Sequence, residues 1–234
     1  MKFYAISDLH LSGEPAAKPM ERFGDHWLNH KEKVQKNWLH TVTPEDIVII
    51  GGDISWAMQL SEAAFDLSWI AQLPGHKLLL RGNHDYWWTS LKKMENIWRE
   101  HFQFIQNNAY LYGTTAICGS RGWILPSNEA FTEEDEKHYK REAARLEISL
   151  QAAQKLNPEQ IICCLHYPPL FNQEEQTLFT ELMEKYQVKY CCYGHIHGED
   201  PQALAVFEGE SRGISYKLVS CDTQKFELTP IPVL

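Results

Sequence analysis

Short, mostly apolar runs of strand length alternate along this chain with longer stretches in which apolar residues recur every three or four positions. The strand-like runs are residues 3–6, 46–50, 77–80, 160–165 and 188–193. They lack in/out alternation, which is the pattern of strands buried on both faces. Between them lie helical patterns. Residues 29–42 place Val34, Trp38 and Val42 at helical spacing. Ser61 is positioned to cap a helix carrying Phe65, Trp69 and Leu73 at four-residue steps, closed by Pro74-Gly75. Residues 90–101 set Leu91, Met94, Ile97 and Trp98 on one side. Thr132 followed by Glu133-Glu134-Asp135 is a helix start, with a capping hydroxyl and acids that suit the dipole. That helix runs to about residue 156 with Tyr139, Ala143, Leu146, Leu150 and Ala153 inward and Lys137, Lys140, Arg141 and Arg145 as a solvated face. A last helix is predicted over 174–186. Residues 12–22 and 119–123 read as loops, and short strands over 110–112 and 115–118 flank Gly113-Thr114. The tail, 203–207, 214–220 and 225–228, alternates like antiparallel strands. The whole predicts an α/β fold: a largely parallel sheet covered on both faces, and a second sheet from the β-rich middle and tail.

Composition narrows this picture. The chain has 234 residues, 44% of them hydrophobic, enough for one sizeable α/β core in a single domain over residues 1–234. A net charge of -9 argues against a broad grip on nucleic-acid phosphates, which needs a basic surface. It leaves room for a small phosphate substrate, because bound divalent ions reverse local charge. The N-terminal apolar run is too short for a signal peptide, and no run approaches a membrane span. The six cysteines form no C-x-x-C pair, so they read as reduced, buried thiols of a cytoplasmic protein.

The candidate chemistry sits where the apolar runs stop. One run ends in Asp8-Leu9-His10, the next in Gly51-Gly52-Asp53, the third in Arg81-Gly82-Asn83-His84-Asp85, the fourth in His166 and the fifth in Gly194-His195-Ile196-His197. Ligands of open α/β folds bind beyond the carboxyl ends of the strands. On an extended backbone, residues two apart point the same way, so Asp8 with His10, and His195 with His197, are each expected to reach one point. His26, His30, His40, His76, His101 and His138 follow no such run and read as bystanders. Seven oxygen and nitrogen ligands exceed what one transition metal takes from protein and suit two ions. Asp53 stands alone on its strand, and its two oxygens make it the candidate bridge. Imidazole and carboxylate without thiolate point to manganese, iron or zinc rather than calcium. Such a pair binds a phosphoryl group and supplies a hydroxide.

The order D-x-H, G-D, G-N-H-D, a lone His and G-H-x-H resembles the calcineurin-like metallophosphoesterase superfamily, block by block and over nearly the whole chain. The resemblance implies a four-layer α/β/β/α sandwich of two mixed sheets flanked by helices, and hydrolysis of a phosphate mono- or diester. It implies one metal held by Asp8, His10, Asp53 and His197 and a second held by Asp53, Asn83, His166 and His195. It gives His84 the role of general acid or transition-state stabiliser, with Asp85 as the expected orienter. His84 stands where lipid-A-type pyrophosphohydrolases carry Arg, which disfavours that branch. A small bacterial-type phosphoesterase fits best. A cyclic-nucleotide phosphodiesterase is the alternative, and a non-catalytic scaffold of the same fold is disfavoured by the intact ligand set. Trp56, Arg121 and Trp123, with Tyr86-Trp87-Trp88, are the candidate contacts to the organic part of the ester.

Overall fold

The computed structural model describes residues 1–198 and 206–233. Its first half builds one sheet. Strand β1 (Phe3–Ile6) is followed by α1 (His30–Thr41), β2 (Ile47–Ile50), α2 (Leu60–Ala71), β3 (His76–Leu80), α3 (Leu91–Trp98) and β4 (Phe102–Ile105). The second half contributes β5 (Ala109–Tyr112), β6 (Thr115–Ser120), α4 (Glu133–Gln154), β7 (Gln160–Leu165), α5 (Leu178–Lys185), β8 (Tyr190–Tyr193), β9 (Gly209–Ser211), β10 (Ile214–Leu218) and β11 (Thr229–Ile231). The first sheet has the order β11-β1-β2-β3-β4 and the second β5-β6-β7-β8-β10-β9. The inner strands of each run parallel, while β11, β5 and β9 close the edges antiparallel.

Strand alternation assigns each side chain to a layer. From the first sheet, Phe3, Ala5, Ile47, Ile49, Leu78 and Leu80 turn toward Ile117, Ile162, Cys164 and Cys192 of the second, forming a dry core between the sheets. Their neighbours Tyr4, Ile6, Val48, Ile50 and Leu79 face outward against Val34 and Trp38 of α1, Leu67 and Ile70 of α2, and Met94 of α3. On the far side, Ala116, Cys118, Cys163 and Cys191 pack on Tyr139, Leu146 and Leu150 of α4 and Phe179 and Met183 of α5. Three apolar layers between four layers of secondary structure make the expected α/β/β/α sandwich. All six cysteines are buried and unpaired. Among the described residues no helix is long and apolar enough to cross a membrane.

The elements differ from expectation where local signals compete with tertiary contacts. Helix α2 is capped by Gln59, in a reciprocal pair with Glu62, rather than by Ser61. Its buried face is Leu60, Ala63, Leu67 and Ile70, and Phe65 is exposed. The α3 face excludes Ile97, which is exposed, and strand β4 follows that helix without a clear sequence signal. Helix α5 begins only after Thr177, whose hydroxyl accepts from the Thr180 N–H. Residues 225–228 are not a strand: Lys225 and Phe226 have left-handed φ of 55° and 63°, and the strand is the following β11, paired with β1. The expected strand over 203–207 lies mainly outside the described residues; Val206 and Phe207 are not in a strand.

Candidate metal centre

The two sheets meet at the carboxyl end of β1. Ser7 forms a parallel bridge with Ser220, and its N–H donates to the Val219 carbonyl at 2.8 Å. Within the first sheet the loops after β1 and β2 are zipped together, with Asp8 N–H on Gly52 O at 2.9 Å and His10 N–H on Asp53 O at 2.9 Å. Within the second, Gly194 N–H donates to His166 O at 3.0 Å. All five strand ends singled out above therefore open onto one place. Close approach requires glycine there: a Cβ on Gly82 would lie 2.1 Å from Asp53 Oδ1, and one on Gly194 would lie 2.5 Å from Asp8 Oδ2. Asp8, His10, Asp53 and His195 all carry left-handed φ, between 45° and 73°. Backbone strain of that kind persists where surrounding structure imposes it, characteristically at functional sites.

The side chains fall into two groups. In one, ligand atoms of Asp8, His10 and His197 lie within 4.8 Å of one another; in the other, those of Asp53, His166 and His195 do. The expectation that His195 and His197 reach one point together fails, because His195 is left-handed rather than extended and the two rings diverge into different groups. Asn83 joins the second group, its Oδ1 lying 2.7 Å from His166 Nε2 and 2.9 Å from His195 Nδ1. Asp53 lies between the groups, with Oδ1 3.5 Å from His166 Nε2 and Oδ2 3.9 Å from His10 Nε2.

Outer contacts set the ring orientations. His166 Nδ1 is 3.0 Å from the Gly51 carbonyl, so that nitrogen carries a proton and Nε2 is the one turned inward toward Asn83 and Asp53. His197 Nδ1 faces Asp222 Oδ1 at 3.2 Å, which leaves its Nε2 free toward His10. Asp8 Oδ2 accepts from Ser7 Oγ at 2.5 Å, Ser220 Oγ at 2.8 Å and the His195 N–H at 3.0 Å. Asp8 Oδ1 is buried with no partner. Two imidazole nitrogens, His10 Nε2 and His197 Nε2, approach to 3.2 Å. An orphaned carboxylate oxygen beside converging imidazole lone pairs is the arrangement a cation completes, and the residues present fit divalent transition metals.

The charges tell the same story. Burial pushes the Asp8 carboxyl up, with His166 and His197 opposing. Burial also opposes ionisation of Asp53, yet the neighbouring His166 holds it well below the usual carboxylate range. Burial would lower His166, but Asp53 raises it to about 9. Burial, then His166, drives His195 down to about 3. Carboxylates this deep need positive charge beside them.

His84 is half-buried on the wall of a cleft of about 260 Å³ that opens onto His10 and His197. Its backbone N–H donates to Asp53 Oδ1 at 2.8 Å, and its ring lies 4.4 Å from Trp56. Burial lowers its pKa, with Asp53 opposing. Asp85 does not orient it. The Asp85 carboxylate accepts the N–H groups of Ile54 at 2.9 Å, Ser55 at 3.2 Å and Gly82 at 2.8 Å, and Trp87 Nε1 at 2.9 Å. Backbone donors in the core took that carboxylate, so it ties the β2 and β3 loops together. Burial, then Asp53, pushes it up to about 6.

Of the candidate substrate contacts, Trp56 lines the cleft, stacked on His10 at 4.7 Å and 20°, and Tyr86, Trp87 and Trp88 do not line it. Nor do Arg121 and Trp123. The Arg121 guanidinium is held 3.3 Å from buried Glu142 and lies over the Trp123 ring at 4.5 Å. Trp123 Nε1 donates to Asp135 Oδ1 at 3.1 Å and its ring packs on His138. Residues unnoticed in the sequence take their place. Met20, Phe23, Trp27 and His26, which reads as a bystander by sequence, line the cleft with Asp222. Lys18 Nζ sits 3.0 Å over the Trp56 ring. Tyr167 covers His195, ring to ring at 4.0 Å. Met20, Phe23 and Trp27 lie in a stretch read as loop or left unassigned, folded as two short 3-10 turns, and no periodicity marks such turns.

The fold is shared with solved structures. A protein of unknown function, AQ665 from Aquifex aeolicus, matches at TM-score 0.51 and 16% identity, over 98% of this chain and 95% of that one. The protein TT1561 of Thermus thermophilus matches at TM-score 0.58 and 14% identity, over 99% and 98%. No curated protein matches the sequence. The family model for calcineurin-like phosphoesterases matches residues 1–199. With its strand-end carboxylates and imidazoles inside that span, the chain belongs to the calcineurin-like phosphoesterase family, a family of metal-dependent phosphoester hydrolases.

Proposed function

We propose that this protein is a dinuclear phosphoesterase that hydrolyses a small phosphate mono- or diester. The observation that carries the reading is the convergence of two ligand groups with Asp53 between them. Asp8, His10, His197 and Asp53 would hold one ion, and His166, His195, Asn83 and Asp53 the other. Two divalent ions there, manganese, iron or zinc, would supply an activated water and offset charge on the phosphoryl group. The chain's own residues do the rest. Asp222 and the Gly51 carbonyl keep protons on the outward nitrogens of His197 and His166. His84 donates a ring N–H toward a phosphoryl or leaving oxygen, and a phosphoryl dianion at that position opposes the lowering of its pKa by burial. Trp56, Trp27 and Phe23 give the cleft an apolar wall for the organic part of the ester. The activity belongs to one domain acting in the cytoplasm.

Metal analysis of the purified protein, with a screen of phosphomonoesters, cyclic nucleotides and linear diesters, tests this. The expected result is close to two transition-metal equivalents per chain. Asp53→Asn lowers occupancy of both sites, whereas His10→Ala lowers chiefly one. A single equivalent in the wild type, unchanged by Asp53→Asn, would overturn the dinuclear assignment.

A further inference from the structure

Beside the metal centre, on the side of β3, β4 and β6, lies a second and smaller cavity of about 100 Å³. No residue assigned above to metal binding lines it. Arg81, Arg121 and Arg145 converge on it from the ends of β3 and β6 and from α4. The one carboxylate paired with them among the described residues is Glu142, 1% exposed, which lies 3.3 Å from Arg121 Nη2 and 2.7 Å from Arg145 Nη1. Three guanidinium charges against one carboxylate leave about two positive charges unmatched, since Arg stays protonated in proteins. Arg81 has neither an ion pair nor a hydrogen-bonded side-chain partner among the described residues, and its Nε is buried without a partner. Arg121 Nε and Thr89 Oγ1, also on this cavity, are likewise buried and unpartnered. On the rim, Trp88 Nε1 donates to Gln106 Oε1 at 2.8 Å, so the amide nitrogen of Gln106 remains as a donor.

Buried donors without acceptors cost free energy, and like charges held together cost more. Two of the three unsatisfied groups here are guanidinium N–H donors and the third is a hydroxyl able to donate, and the excess charge is positive. We infer that this cavity is a binding site for a small dianionic oxyanion, a phosphate group above all, held by Arg81, Arg121 and Thr89. Arginine forks match phosphate oxygens, and the volume suits one phosphoryl group. The anion adjoins the metal centre through the chain itself. Arg81 directly precedes Gly82-Asn83-His84, and the Arg121 carbonyl accepts the N–H groups of His166 at 3.0 Å and Tyr167 at 2.9 Å. Drawing Arg81 and Arg121 together thus acts on both loops that present Asn83 and His166. Two sources share this chemistry: free phosphate, or a second phosphate on the substrate.

The site does not depend on hydrolysis, so it is tested apart from it. Inorganic phosphate is titrated calorimetrically into the chelated protein and into the metal-loaded protein. The chelated wild type is expected to bind one phosphate, and Arg81→Gln and Thr89→Val to weaken that binding, Arg81→Gln by roughly tenfold or more. Melting curves without phosphate check that each variant is folded. Kinetics then separate the sources. A raised KM for a bisphosphate ester alone in Arg81→Gln identifies a substrate phosphate. Loss in Arg81→Gln of a rate change that free phosphate produces in the wild type identifies an effector. Absence of phosphate binding to the chelated wild type, or equal binding by wild type and both folded variants, overturns the inference.

Discussion

Asp85 and His84 are neighbours whose side chains part company: one carboxylate buried among four N–H donors, one imidazole on the wall of the cleft. Their substitutions should therefore separate. His84→Ala is expected to keep the fold and the metals and to lower turnover by roughly 10²–10⁴-fold, the range for losing a positioned proton donor. Comparing a poor alkoxide leaving group with a nitrophenolate tells donation to the leaving oxygen from stabilisation of the phosphoryl oxygens; only the former makes the alkoxide suffer more. Asp85→Asn puts an amide among backbone donors and is expected to cost about 2–4 kcal/mol of stability in denaturant titration, whatever the ester. Should Asp85→Asn instead behave like His84→Ala, at unchanged stability, the anchoring role is wrong. The aromatic residues divide in the same way. Trp56→Ala is expected to alter preference among esters at constant metal content. Trp123→Ala, which loses packing on His138 and Tyr167, should lower the melting temperature and leave that preference unchanged.

The functional elements are the ends of strands rather than the strands themselves. The parallel strands deliver their chains to the same edge, and after β1, β2 and β8 a left-handed residue (Asp8, Asp53 or His195) then turns the chain there. Gly82 and Gly194 allow neighbouring strand ends to come within contact of Asp53 and Asp8. Gly82→Ala would set a methyl carbon 2.2 Å from the Asp53 backbone nitrogen, so the β2 and β3 loops must separate. The expected outcome is loss of metal from both sites, read by metal content, with secondary structure retained in far-UV dichroism. Retention of two metals in that variant would show that the loops separate without disturbing Asp53. Helix α4 is the element whose polar face carries most beyond solubility. Its Glu142 is buried against Arg121 and Arg145, although Arg145 reads by spacing as part of a solvated face.

At the scale of the whole molecule, the centre is a seam. Asp8, His10, Asp53 and Asn83 come from the first sheet and His166, His195 and His197 from the second, joined by the Ser7–Ser220 bridge and the apolar layer between the sheets. Metal bound across that seam links the two halves and stabilises the native state by mass action, about 2.7 kcal/mol at a hundredfold excess over Kd. Chelation is accordingly expected to lower the melting temperature, and readdition of manganese to restore it. A melting temperature indifferent to chelator, in protein shown to have lost its metal, would contradict a site that spans both sheets.

Much of this was legible in residue order. Five apolar runs, each stopping at Asp, Asn or His, announce parallel strands with chemistry at their carboxyl ends, because strand burial and strand termination are local properties of the chain. Helix α4 was equally plain, since Thr132 and Asp135 cap each other across one turn. Which imidazole meets which carboxylate was not local. It follows from strand register, from the left-handed turns at Asp8, His10, Asp53 and His195, and from the meeting of the two sheets at Ser7. Asp222 behind His197, the cleft wall of Met20, Phe23 and Trp27, and the backbone donors that claim Asp85 are all decided there. Periodicity records what a residue's neighbours in sequence require of it, and these side chains answer to neighbours brought together only by the fold.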